Sequence, residues 1–267
     1  MIKPIFVLSL CLPVFSYGQD FQRIPTSRVN VTMNIVTLEP KPSSKTALLI
    51  IGGTDGSEGR IMLKGTLAAS RGAMQYLHAN ADVFESAGIT LVATGCPTDE
   101  WPNYGMCMDS YRKSDTYAND FSKIIEFLKE KYQFEKFYVF GHSSGGISSR
   151  WLSVKIPEKL SGVINSSIMN GTAGSLASST LGFDMEKITI PVLNIAHEAD
   201  QCPSTPYFIV KNYSKGNLVT VKGGGTSGFV CGGANRHSFE GRQRGVSKAI
   251  VKWITAGEVQ PVVDSDE

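Results

Sequence analysis

Phe137–Ser149 reads FYVFGHSSGGISS, and the reading of this stretch decides the fold. Lys136 to Phe140 reads as a buried strand, and a helix is expected to start at Ser144. Between them lies Gly141-His142-Ser143-Ser144-Gly145, a G-x-S-x-G run. A Ser on so tight a strand-to-helix turn holds strained backbone, and the positions two before and two after it must be small to avoid collision. Gly141 and Gly145 meet that need. Ser143 then projects its hydroxyl above the sheet as a nucleophile, and the Ser144 amide faces a developing oxyanion at the helix N-terminus. By chance alone the pattern arises roughly 0.3 times in a chain of this size. Its place between a strand and a helix is what gives it weight. The plainer reading is a Gly/Ser turn without chemistry, or a phosphate-holding turn. A P-loop would need Gly-Lys-Ser/Thr, which is absent.

Outward from this turn, strand and helix patterns alternate. Strands are expected at Val29–Leu38, Thr46–Ile51, Ile89–Thr94, Gly162–Ile168, Ile190–Ala196 and Asn217–Val221. Tyr117–Tyr132 places Phe121, Ile124, Ile125 and Leu128 on one helical face. Other helices fit within Ile61–Phe84, around Thr205–Tyr213 and over Phe239–Ala256. Strands separated by helices imply an α/β fold, with a parallel sheet covered on both faces. Only about twenty residues separate the strands near Ile168 and Ile190, which leaves no room for a large lid domain.

A nucleophilic Ser needs a base, and in this kind of fold the chain order is Ser, acid, His. Of four histidines, His78 precedes Ser143 and His142 lies inside the turn. Between Ser143 and His197 lie only Glu158, Asp184 and Glu186, none at a strand end. His237, in GGANRHSFEG before the last helix, alone leaves room for an acid at the end of a later strand. Asp200 closes PVLNIAHEAD just beyond an apolar strand, where sheet-end loops place functional groups. Glu198 is the fallback. The second oxyanion donor is expected after TALLII, in Gly52-Gly53-Thr54-Asp55-Gly56-Ser57, from the amide of Gly53 or, preferably, Thr54.

The first 18 residues, MIKPIFVLSLCLPVFSYG, read as a signal peptide. Lys3 supplies the positive start, Ile5–Phe15 an apolar run too short to span a bilayer, and Ser16 and Gly18 the small residues before cleavage. Residues 19–267 are then a single domain without a membrane-spanning segment, in a secreted or periplasmic setting. Cleavage removes Cys11 and leaves Cys96, Cys107, Cys202 and Cys231, an even set for an oxidising compartment. Three pairings are open. The sequence-near one would tie the acid loop to the base loop through Cys202–Cys231, for about 3–4 kcal/mol by loop entropy. It would also close CPTDEWPNYGMC, whose Trp101, Tyr104 and Met106 are candidate cleft walls, through Cys96–Cys107. No Cys lies in a CxxC unit, so neither a zinc site nor any other metal or cofactor is expected.

Composition agrees with this picture. The 267 residues are 42 % hydrophobic and 19 % charged, with 26 basic and 24 acidic side chains for a net charge of +2. This suffices for a sizeable core and argues against both disorder and a nucleic-acid partner. Gly is abundant, at 27 residues.

From about Thr46 to Gly257 the chain resembles the α/β-hydrolase superfamily, and secreted bacterial members of it in particular. The resemblance rests on the GHSSG turn, on Asp200 within HEADQC, on the Cys231-Gly232-Gly233 to His237 stretch, and on His237 before the last helix. Where that superfamily commonly has His-Gly in the oxyanion loop, this chain has Gly52-Gly53. The resemblance implies a mostly parallel sheet of about eight strands and acyl transfer by a Ser143-Asp200-His237 triad. The expected activity is hydrolysis of a small-molecule or acyl ester. A peptidase or thioesterase would use the same triad, and a non-catalytic hydrolase-fold binding protein is the reading outside enzymes. Oligomeric state is left open.

Overall fold

Alternate residues of the central strands feed two separate cores, which is why the sheet is covered on both sides. Leu48, Ile50, Tyr138 and Phe140 belong to one cluster; Ala47, Leu49, Ile51, Phe137 and Val139 belong to the other. The computed structural model describes residues 18–38, 41, 43–53, 73–100, 107–171 and 177–267. Its nine strands are β1 (Gln19–Pro25), β2 (Thr32–Leu38), β3 (Thr46–Ile51), β4 (Ile89–Pro97), β5 (Lys136–His142), β6 (Gly162–Ser166), β7 (Val192–His197), β8 (Leu218–Val221) and β9 (Val262–Val263). They form one sheet in the order β1-β2-β4-β3-β5-β6-β7-β8-β9. β1 and β2 are antiparallel to each other, and β2 to β4; every later pairing is parallel.

Helices α1 (Ala73–Ala79), α2 (Ala81–Ser86), α3 (Asp109–Arg112), α4 (Asp115–Tyr132), α5 (Gly145–Lys155), α6 (Tyr207–Tyr213) and α7 (Gln243–Ala256) connect the strands. Leu77 of α1, Phe84 of α2 and Val246, Ile250 and Trp253 of α7 cover one face. Phe121, Ile124, Ile125 and Leu128 of α4, with Leu152 of α5, cover the other. α4 starts where the Ser114 hydroxyl accepts the Tyr117 N–H at 3.0 Å and stops at Gln133, whose φ of 58° is left-handed.

After β3 the chain moves to one side to build β4, then returns to the other side for β5. The reversal leaves a crevice at the carboxyl ends of β3 and β5, where an open α/β sheet binds its ligands. Ser143 follows β5 at that point.

The expected elements hold, with shifted ends that have local causes. The first expected strand loses Val29 to Val31 to a turn in which Asn30 has a φ of 60°. β6 stops at Ser166 because Ser167 is left-handed at φ 39°. The last helix starts at Gln243 rather than Phe239, whose φ is 58°. The sheet has nine strands rather than about eight. β1, with a single buried residue in Ile24, and the two-residue β9 carry too little apolar periodicity to be seen in the sequence. Between β6 and β7 there are only short turns at Ser178–Thr180 and Met185–Lys187 among the described residues. Of the stretch expected to be helical within Ile61–Phe84, residues 61–72 lie outside the described residues, as do residues 1–17 of the expected leader.

Candidate active site

The turn after β5 has the strain its sequence implies. Ser143 sits at a φ of 54°, a conformation that costs a non-Gly residue about 1–3 kcal/mol. Its N–H donates to the Ser166 carbonyl at 3.0 Å, and its own carbonyl accepts from Gly146 at 3.0 Å and Met169 at 3.1 Å. A Cβ at Gly141 would lie 2.5 Å from the Gly145 carbonyl oxygen, and one at Gly145 would collide with the Ile51 carbonyl. One at Gly53 would come within 3.0 Å of Ser143 Cβ. The two glycines flanking the turn are therefore steric necessities, and Gly52-Gly53 brings its backbone against Ser143.

Asp200 lies three residues past β7, in a turn closed by its N–H on the His197 carbonyl at 3.1 Å. Three donors converge on its carboxylate. The Cys202 N–H reaches Oδ1 at 2.9 Å, the Thr205 hydroxyl reaches Oδ2 at 2.7 Å, and His237 Nδ1 reaches Oδ2 at 3.0 Å. The acid and the imidazole are both buried, with side chains 2 % and 1 % exposed. His237 sits in the short turn Arg236–Ser238, whose start is capped by Asn235 Oδ1 on the Arg236 N–H at 2.7 Å. Phe239 follows in left-handed conformation, fully buried, with its ring against Tyr76 and His142. That anchor holds the base loop down on the sheet.

His237 Nε2 is buried and has no hydrogen-bond partner among the described residues. The structure thus joins Asp200 to His237 directly and brings the nucleophile turn alongside, without a Ser143–His237 hydrogen bond in this conformation. The contact between the two regions runs through His142. Its ring lies 4.9 Å from that of His237, centroid to centroid, and its nitrogens meet Ser166 Oγ at 3.0 Å and Ser238 Oγ at 3.4 Å. Burial, with the His237 ring alongside, holds the His142 pKa well below the ordinary 6.5, so this imidazole stays neutral.

The other candidates fall where elimination leaves them. His197 accepts the Ala199 N–H on Nδ1 at 3.0 Å and meets the Gly223 carbonyl with Nε2 at 2.7 Å, a satisfied brace between the ends of β7 and β8. Glu198 faces Lys222 at the surface. Asp184 caps the Met185–Lys187 turn, and Glu186 pairs with Lys215. Thr205 was not apparent from the sequence. The signal available was a hydroxyl residue directly before Pro206: a residue preceding Pro is biased away from helix, which leaves Thr205 beside the acid turn.

Ser144 stands at the N-terminus of α5, and no described residue accepts its N–H. Thr54, the preferred second amide, lies outside the described residues, as do Trp101, Tyr104 and Met106. Disulfides join Cys96 to Cys107 and Cys202 to Cys231, the sequence-near pairing. Between α1 and the base loop opens a cavity of about 530 Å³, whose described walls include Tyr76, Phe229, Gly233, Glu240 and Gln243. Among the described residues no cluster of three or more His, Cys, Asp or Glu side chains is placed to hold a metal ion, and no helix is long and apolar enough to cross a membrane.

A family model described as alpha/beta hydrolase fold matches residues 96–188, about a third of the chain, which includes the nucleophile turn but neither Asp200 nor His237. No curated protein matches. Among solved structures, Est1E from Butyrivibrio proteoclasticus superposes with a TM-score of 0.60 at 14 % identity, covering 88 % of this chain and 97 % of its own. A highly thermostable carboxyl esterase from Bacillus coagulans gives 0.57 at 15 %, over 90 % and 98 %. A lidless α/β serine hydrolase from Xanthomonas campestris gives 0.55 at 15 %, over 90 % and 95 %. At such identities the likeness is one of fold, and that fold is the one expected from the sequence.

Proposed function

Starting from an α/β-hydrolase fold, we propose that this protein is an exported serine hydrolase that cleaves carboxylic esters through an acyl-enzyme. The observation that carries the reading is the buried Asp200–His237 hydrogen bond beside a nucleophile turn held at positive φ. Acid, base and nucleophile follow three parallel strand regions at one end of the sheet, the end where such folds do chemistry. The choice of an ester over a peptide or thioester rests on the likeness to the Bacillus coagulans carboxyl esterase.

In this mechanism His237 Nε2 takes the Ser143 proton as Oγ bonds to the ester carbon and the carbonyl π pair moves onto oxygen. The Ser144 and Thr54 amides stabilise that oxyanion, and Asp200 holds the imidazolium. Collapse breaks the bond to the leaving oxygen, which carries off the proton from His237. Water then gives its proton to Nε2, attacks the acyl carbon, and releases the acid with Ser143 restored. Nε2, buried and unbonded, needs a donor; substrate closes it onto Ser143, as hydrogen bonds loose in a free enzyme tighten on binding.

A fluorophosphonate probe should label the wild type at Ser143 and leave Ser143→Ala unlabelled, with p-nitrophenyl ester hydrolysis abolished. Labelling that survives the substitution would sink the assignment. A wild type inert to the probe and to a panel of esters, thioesters and peptides would mark a binding protein. Export is tested by sequencing the mature N-terminus: cleavage after Gly18 starts the protein at Gln19, whereas an intact Met1 on protein recovered from outside the cytoplasm refutes the leader.

A further inference from the structure

We propose that Thr205 is a positioning residue of the acid–base pair, one that shares the Nδ1 proton of His237 with Asp200; the inference rests on the triad reading above. Thr205 is 1 % exposed, and its single hydroxyl proton has one best destination. Oγ1 lies 2.7 Å from Asp200 Oδ2 but 3.4 Å from the Cys202 carbonyl, so it donates to the carboxylate. Its lone pairs are then what meets His237 Nδ1 at 3.2 Å. Nδ1 faces two acceptors, Asp200 Oδ2 at 3.0 Å and Thr205 Oγ1, and therefore carries the proton in a three-centre bond. The ring is held by two points rather than one, which sets the direction of Nε2.

The hydroxyl is itself held. The Thr205 N–H donates to the Cys202 carbonyl at 3.1 Å, Pro206 keeps residue 205 out of α6, and a β-branched side chain has few χ1 choices. When Nε2 takes the Ser143 proton the ring becomes a cation, and a second acceptor at Nδ1 favours that state over the neutral one. Thr205 therefore acts on kcat and leaves KM nearly alone.

The test compares Thr205→Val, of equal volume without a hydroxyl, with Thr205→Ser. Loss of a hydrogen bond to a charged group corresponds to about a 10–100-fold fall in kcat for Val. KM on a p-nitrophenyl ester should stay within about twofold, and the downfield proton resonance of His237 Nδ1–H should shift. Ser should restore both the rate and the resonance. Wild-type kcat and an unmoved resonance in Val overturn the proposal, as does an equal loss in Val and Ser. If Val does not fold by circular dichroism, Thr205→Ala replaces it under the same criteria. A wild type that no probe labels removes the triad reading instead, while the resonance still decides whether Thr205 shares the proton.

Discussion

Asp200 and Asp120 are both buried carboxylates, each hydrogen-bonded to a ring, yet they sit in regions with different work. Asp120, on α4, receives the Tyr111 hydroxyl at 2.6 Å and pairs with Arg28 at 3.0 Å; Arg28 also bridges to Asp99 and stacks on Tyr111. The Tyr111 hydroxyl and the Arg28 guanidinium are both engaged in fastening the β1–β2 loop to the helical face, and burial raises the Asp120 pKa. Asp200 is fastened as well, by Cys202, Thr205 and His237, but its ring partner keeps a second nitrogen uncommitted at the crevice. A buried carboxylate–ring pair becomes a candidate for chemistry only when the ring has a functional atom left over. In the Asp120 cluster that condition fails.

The contrast is broken most sharply by neutralising the two acids in turn. Asp200→Asn should lower kcat by about 10⁴-fold with the fold retained, because the imidazole loses its orientation and the stabiliser of its charge. Asp120→Asn should leave kcat within about twofold. Steady-state ester hydrolysis decides between them, and equal losses would erase the distinction between the two carboxylates.

Covalent anchoring separates the regions next. The Cys202–Cys231 bridge ties the Asp200 turn directly to the His237 loop, whereas Cys96–Cys107 joins the segments that carry Asp99 and Tyr111 and leaves Asp120 and Arg28 themselves held by non-covalent contacts. Cys202→Ser with Cys231→Ser should reduce unfolding stability by about 3–4 kcal/mol and lower kcat as well. Asp120→Ala should reduce stability by about 1–3 kcal/mol, by taking the acceptor from the buried Tyr111 hydroxyl while Arg28 keeps Asp99, without touching kcat. Urea unfolding beside kinetics on the same samples shows whether stability and rate part company as expected.

The smallest effect is one of pH. His142 stays neutral in the folded protein while its unfolded form titrates near 6.5. The unfolded chain therefore takes up a proton first, and stability present above pH 6.5 is lost as pH falls toward the depressed folded value. The slope from this residue approaches about 1.4 kcal/mol per pH unit. Half-buried His78 and buried His197 shift in the same direction and add to it. Urea midpoints for wild type and His142→Gln between pH 7.5 and 5.5 should converge as pH falls; parallel curves would mean that His142 titrates normally.

Much of this architecture is legible in the residues. Thr46–Ile51 and the apolar face of α4 follow from periodicity alone, and Gly141 and Gly145 mark a turn that tolerates no Cβ. Asp200 and His237 come together as the order of acid and base suggests, because each follows a strand in a parallel sheet whose carboxyl ends all face one way. β1 and β9 were missed, being short and weakly apolar. The end of β6 and the start of α7 shift where Ser167 and Phe239 adopt positive φ, which no residue preference announces for those side chains.

The sequence by itself determined the alternation of strand and helix, the strained Ser143 turn, and the chain order of Ser143, Asp200 and His237. These depend on local sterics and on periodicity, which neighbouring residues specify. Only the tertiary structure decided which groups share a proton or a wall: Thr205 on both Asp200 and His237, His142 against His237, and Asp120 committed to Arg28 and Tyr111. Such contacts join residues up to about a hundred positions apart, across an interior packed so closely that each side chain's partners are set by every element around it.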